Sequence, residues 1–210
     1  MGELTELFRV LRESRRGNVP GGDVQGESVP GEVPDQAQDE ALNEIFALTY
    51  RELRALAHQR LRRASPITVL DTTSLVHECY LRLVRLGQLH ARDQAHFLAY
   101  AARVMRSIIV DTVRSRLAQR RGGGELHVTL GTDIVDSAAA NEQQVLRVDE
   151  ALQELAQLDE RLVKVVEMRY FAGLSPDEIA ATLGVTSRTV RRDWEKARLL
   201  LFAALQDTPA

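Results

Sequence analysis

Two helix starts and one helix stop stand close together in LSPDEIAATLGVTSRTVRRDWEKARLLL, residues 174–201. Ser175 caps the first helix, Pro176 takes its first position, and Glu178, three residues after Ser175, completes a capping box. Ile179, Ala180 and Leu183 form its apolar face, and Gly184 permits a sharp turn. Val185 packs inside, and Thr186 or Ser187 caps the second helix. That second helix presents Ser187, Arg188, Thr189, Arg191, Arg192 and Lys196 outward, while Val190, Trp194, Ala197 and Leu201 pack back. Two short helices fixed across a tight turn, with Arg near the start of the second, have the chemistry of a helix-turn-helix that reads a DNA major groove. A purely structural helical hairpin is the alternative.

Elsewhere apolar residues recur at helical spacing. Leu4, Leu7, Phe8 and Leu11 share one face of a short helix over residues 4–16. Leu42, Ile45, Phe46, Tyr50, Leu53, Leu56 and Leu61 predict one helix from Asp39, ended by Ser65-Pro66. A helix over about 72–86 carries apolar residues at Leu75, Val76, Cys79, Leu83 and Leu86. Another, over about 93–119, turns Phe97, Leu98, Ala101, Val104, Met105, Ile108 and Val113 inward, and Gly122-Gly123-Gly124 stops it. Residues 17–36 hold five Gly and three Pro, the composition of a flexible spacer. Residues 125–143 read as an acidic linker, followed by a second helical block over about 144–205. The expected fold is all-α, two small helical domains joined by a flexible acidic linker, the C-terminal one a helix-turn-helix. Its parts are an N-terminal helix at 1–16, a Gly/Pro-rich insertion at 17–36, a first domain at 37–121, a linker at 122–145 and a second domain at 146–206.

Charge is strongly segregated along the 210 residues, although the net charge is only −3. Residues 101–121 carry six Arg against Asp111, and residues 51–63 carry five Arg against Glu52. Residues 123–160 hold nine acids and one basic residue, Arg147. Such segregation predicts basic surfaces that face a polyanion. All but two of the 27 basic residues, Lys164 and Lys196, are Arg, which suits bidentate phosphate and base contacts but also follows from a GC-rich genome.

Other chemistries find little support. His77-Glu78 lacks the second His of a zinc-protease helix, no glycine loop has phosphate-binding spacing, and Cys79 has no activating neighbour. No metal, cofactor or catalytic set is expected, so the chain is not read as an enzyme. A single Cys excludes an internal disulfide, and no apolar run approaches the ~20 residues that cross a bilayer. The amphipathic, acid-bearing start MGELTELFRVLRESRR is unlike a signal peptide, so the cytoplasm is the expected location and no membrane is expected as a partner.

A resemblance narrows the function. LDERLVKVVEMRYFAGLSPDEIAATLGVTSRTVRRDWEKARLLL resembles region four of bacterial sigma factors. TTSLVHECYLRLVR and HFLAYAARVMRSIIVDTVRSRLAQRR resemble region two. The brevity of the chain and the lack of an extended middle domain resemble the extracytoplasmic-function (ECF) group. The resemblance implies that residues 37–121 bind core RNA polymerase and the minus-ten promoter element. It also implies that Ser187, Arg188, Thr189, Arg191, Arg192 and Lys196 read the minus-thirty-five element. Arg103, Arg106, Arg114 and Arg116 would contact phosphates of the melted strand. Phe97 or Tyr100 would stack on bases, with core packing as the alternative. The implied partners are promoter DNA and core polymerase, through its β′ clamp helices and β flap. The acidic linker would thread through the polymerase.

The first turn of the 72–86 helix departs from that family. In most ECF factors the segment aligned with DTTSLVHE reads like DAEDLVQE, with acids that face the basic clamp helices. Here Asp71 and Glu78 remain, while Thr73 and Ser74 stand where a glutamate and an aspartate are usual. A phosphate, adding roughly −1.5 to −2 charges, would restore what is missing. Thr73, then Thr72 and Ser74, are the candidate phosphorylation sites, and a Ser/Thr protein kinase becomes a candidate partner. Simple N-capping is the competing explanation. The resemblance includes a branch lacking the acidic motif. The alternative function is a stand-alone helix-turn-helix regulator, which co-purification with core polymerase would distinguish.

Overall fold

The computed structural model describes residues 2–13, 36–63, 70–86, 91–121 and 132–206, and the Gly/Pro-rich insertion lies almost wholly outside them. Every regular element among these residues is helical, as the periodicity predicts. They are α1 (Gly2–Glu13), α2 (Gln36–Leu48), α3 (Tyr50–Arg63), α4 (Thr72–Leu86), α5 (Gln94–Arg121), α6 (Thr132–Leu158), α7 (Glu160–Val166), α8 (Pro176–Leu183) and α9 (Ser187–Gln206). A π-helical turn, Glu167–Phe171, continues directly from α7. No described helix is long and apolar enough to cross a membrane.

The expected single helix from Asp39 is two helices that bend at Thr49. Its buried hydroxyl donates to the Ile45 carbonyl at 2.6 Å, while the backbone bonds to Ile45 and from Leu53 persist. A hydroxyl competing for the carbonyl four residues back is a known cause of helix bending. α1 packs on α2 and sends Phe8 and Leu11 into the core. Phe97, at the start of α5, is fully buried, and its ring meets Phe46 edge-on at 5.3 Å and Phe8 at 6.2 Å. Phe97 is therefore a core residue, and removing a ring this enclosed typically costs about 3–5 kcal/mol.

Cys79 is buried on α4 with its Sγ 3.7 Å from the Ala101 carbonyl. Burial pushes its thiol up to about 12, so it stays an unreactive thiol at neutral pH.

The segment at 122–145 departs from its expectation as a flexible linker. Residues 122–131 lie outside the described region, but the backbone is helical from Thr132 onward. Its run DSAAANEQQ is rich in good helix formers, and the scattered acids that suggested a linker are compatible with a helix. α6 packs against α5, α7 and α9. One contiguous apolar core consequently holds residues of both helical blocks, from Ile45 and Met105 to Leu152, Leu162 and Ala197. A second cluster, with Val165, Ile179 and Val190 at its centre, holds α8 and α9 together.

Candidate nucleic-acid interface

The turn between α8 and α9 is built as its residues require. The Ser175 hydroxyl accepts from the Glu178 amide, and the Glu178 carboxylate accepts from the Ser175 amide at 2.8 Å. The Ser175 hydroxyl first, and then the Ser175 amide, hold the Glu178 carboxyl below its ordinary range. Gly184 ends α8 in the left-handed conformation, φ +67°, which a side chain would strain. Thr186 accepts from the Thr189 amide and so caps α9. Val190 and Ala197 are buried, and Asp193 is buried beside Arg161, 2.8 Å from its Nε. Trp194 lies under the Arg169 guanidinium, 5.0 Å from ring centre to cation. The inner face of α9 is thereby fixed, and its outer face carries Arg188, Arg191, Arg192 and Lys196 in solvent. Among the described residues Arg188, Arg191 and Lys196 make no ion pair. Ser187 behaves differently, because its hydroxyl donates to the Asp177 carboxylate across the turn. It helps to fix the angle between the two helices.

The arginines of α5 have a different surrounding. Arg106, largely buried, pairs with Asp149 and places Nη2 3.0 Å from Glu167. Arg114 reaches Asp149 at 3.1 Å, Arg116 reaches Glu142 at 3.3 Å, and Arg103 approaches Glu167 at 3.8 Å. All three acids are buried, whereas Arg103 and Arg114 remain at least half exposed. Glu142 and Asp149 stand two helical turns apart on α6, and Glu167 begins the π-helical turn. Along α5 the four arginines meet these acids in antiparallel order.

The same turn carries an aromatic contact. The Arg60 guanidinium lies 4.5 Å from the Phe171 ring centre and donates to the Tyr170 carbonyl at 2.9 Å. Glu142, Asp149, Glu167, Arg60 and Phe171 all escaped the sequence analysis as site residues. The seven-residue spacing of Glu142 and Asp149 and the opposite charge of 101–121 and 123–160 were the available signals.

At the start of α4 the Asp71 carboxylate accepts from the amides of Thr73 and Ser74 at 2.7 and 2.9 Å, and from the Ser74 hydroxyl at 2.8 Å. The bonds from Ser74 and Thr73 hold the Asp71 carboxyl below its usual value. Asp71 therefore caps this helix, and the surplus hydroxyls do not. Thr73 is exposed, and its hydroxyl makes no hydrogen bond among the described residues. Ser74 and Glu78 line an open groove between α4 and α5, of about 860 Å³, together with His77, Arg82 and Arg116.

The model of a family described as ECF sigma factor matches residues 32–207. α1 lies outside the matched segment. Neither the curated proteins nor the solved structures contain a match to this chain.

Proposed function

The chain belongs to the ECF sigma factor family of transcription initiation factors, and from that premise we propose that it carries core RNA polymerase to specific promoters in the cytoplasm. In this reading α9 enters the major groove of the minus-thirty-five element with Arg188, Thr189, Arg191, Arg192 and Lys196 toward the DNA. The observation that carries it is the exposed outer face of α9, basic and, among the described residues, unpaired at Arg188, Arg191 and Lys196, on a helix whose inner face is locked. Guanidiniums held on a rigid helix suit bidentate bonds to guanine edges. Arg103, Arg106, Arg114 and Arg116 on α5 serve the melted minus-ten strand. Residues of α4's first turn, Asp71, Thr73, Ser74 and Glu78, face the β′ clamp helices, and the α8–α9 unit faces the β flap.

Core binding is switched by phosphate on Thr73. Its hydroxyl is exposed and has no competing bond among the described residues, and Asp71 supplies the cap without it. A phosphate at the second position of a helix is favoured by the helix dipole. Ser74 is a poorer site, since its oxygen already sits 2.8 Å from the Asp71 carboxylate and a phosphate there would bring like charges together. Core-polymerase affinity of the unmodified chain, the Thr73-phosphorylated chain and Thr73→Val tests this switch. Weak binding by the first and third with tight binding by the phosphoprotein is expected. Equal, tight binding by all three would leave no place for a kinase.

A further inference from the structure

The four α5 arginines that the proposed function assigns to the melted strand are the same four that Glu142, Asp149 and Glu167 engage. We infer that α6 and the π-helical turn act as an intramolecular clasp, occupying the nucleic-acid-binding face of α5 with carboxylates until a polyanion or polymerase displaces them. The clasp's purpose rests on the sigma-factor reading above. Its geometry does not.

Three features distinguish this contact from an ordinary core. First, it is a network of ion pairs set against a core that is mostly apolar, and the acids are the more deeply buried partners. Arg106 is the centre, held by two carboxylates on two different elements. Buried pairs of this kind add little net stability over apolar packing, because desolvation offsets most of the attraction. They do add dependence on charge, and a phosphate chain offers the same ligand chemistry as the acids it replaces.

Second, one of the three acids, Glu167, arrives on a π-helical turn. A π-turn widens the helix locally, and Glu167–Phe171 uses it to present Glu167 to Arg106 and Arg103 while Phe171 lies against Arg60. The Glu167 part of the contact thereby sits on a short segment that precedes α8.

Third, the seam is incompletely filled. A cavity of about 220 Å³ remains between the two blocks, bordered by Arg60, Arg106, Val148, Asp149, Tyr170 and Phe171. Permanent interiors are close-packed, and a void here forfeits dispersion contacts that a closed core would keep. The ion pairs and the cavity are the charge-dependent part of a seam that the apolar core also crosses.

The test uses the full chain and a fluorescent single-stranded oligonucleotide of random sequence. Asp149→Asn combined with Glu167→Gln removes two carboxylates with little change of shape. Because apparent affinity scales with the open fraction, roughly tenfold tighter oligonucleotide binding is expected at fixed salt. That gain should vanish when Arg103→Ala and Arg114→Ala are added to the pair. Its persistence would place the oligonucleotide elsewhere and overturn the inference. Small-angle scattering of the unaltered chain supplies a readout that needs no substitution. Its radius of gyration should rise between roughly 0.1 M and roughly 1 M salt, as screening weakens the pairs. An unchanged radius with unchanged oligonucleotide affinity would also overturn it. Run-off transcription with core polymerase reports the sigma reading separately: an opened chain that yields no transcript leaves the clasp standing and removes that reading.

Discussion

The two arginine-bearing helices α5 and α9 share a composition and differ in what surrounds it. On α9 the acid that matters, Asp193, comes from the same helix and points inward to Arg161, which leaves Arg188, Arg191 and Lys196 open. On α5 the acids come from α6 and the π-helical turn and engage the arginines, with Arg103 and Arg114 still at least half exposed. A run of arginine therefore specifies a surface that seeks anions without specifying which anion it meets. In this chain the nearest polyanion to α5 is the chain itself.

The largest effect expected from this contrast is at Arg106. Arg106→Ala leaves Asp149 and Glu167 without the cation between them, and breaking a buried pair in this way costs up to about 3–5 kcal/mol. Denaturant unfolding measures it. Arg188→Ala and Arg191→Ala, by contrast, should change stability by less than about 0.5 kcal/mol. If Arg106→Ala were equally mild, the two helices would not differ as described.

In promoter binding the order of effects reverses. Arg188→Ala or Arg191→Ala should weaken minus-thirty-five DNA by about 1–3 kcal/mol where the side chain bonds a base, with core-polymerase affinity unchanged. Fluorescence anisotropy on matched and mismatched duplexes would check both magnitude and base preference. Loss of affinity without loss of sequence preference would reduce these residues to phosphate contacts.

Smaller effects belong to the first turn of α4. Asp71 has its carboxyl depressed by the bonds it accepts, so the stabilisation it gives is complete above the ordinary carboxylate range. It is lost as pH falls through the lowered folded value. Asp71→Asn should flatten that acid limb of the stability curve. Thr73→Val should leave it intact and change stability by no more than about 0.5 kcal/mol, because its hydroxyl has no bond to lose among the described residues. A Thr73→Val chain that unfolded as readily as Asp71→Asn would return the capping role to Thr73.

What was legible in the sequence follows the range of the interaction. Ser175, Glu178 and Gly184 act within one turn of themselves, and their spacing alone fixes the caps that the structure contains. The helix at 72–86 and its buried face of Leu75, Val76, Cys79 and Leu83 were equally plain, being periodic. Thr49 bends α2 into α3 through a hydroxyl bond that periodicity does not register. The π-helical turn escaped because MRYF continues an apolar helical pattern without interruption. The pairing of Arg106 with Asp149 and Glu167 depends on how α6 folds back along α5, and no local spacing encodes that return. Charge segregation was visible, but spacing along the chain does not register that these oppositely charged blocks meet in this fold.

Run-off transcription with purified core polymerase, on a template with separated minus-thirty-five and minus-ten elements, tests the central claim most directly. The account predicts a transcript of defined start that requires this chain, increases with phosphate on Thr73 and falls with Arg191→Ala. No transcript from either the unmodified or the phosphorylated chain, on any of a pool of randomised promoters, would contradict it.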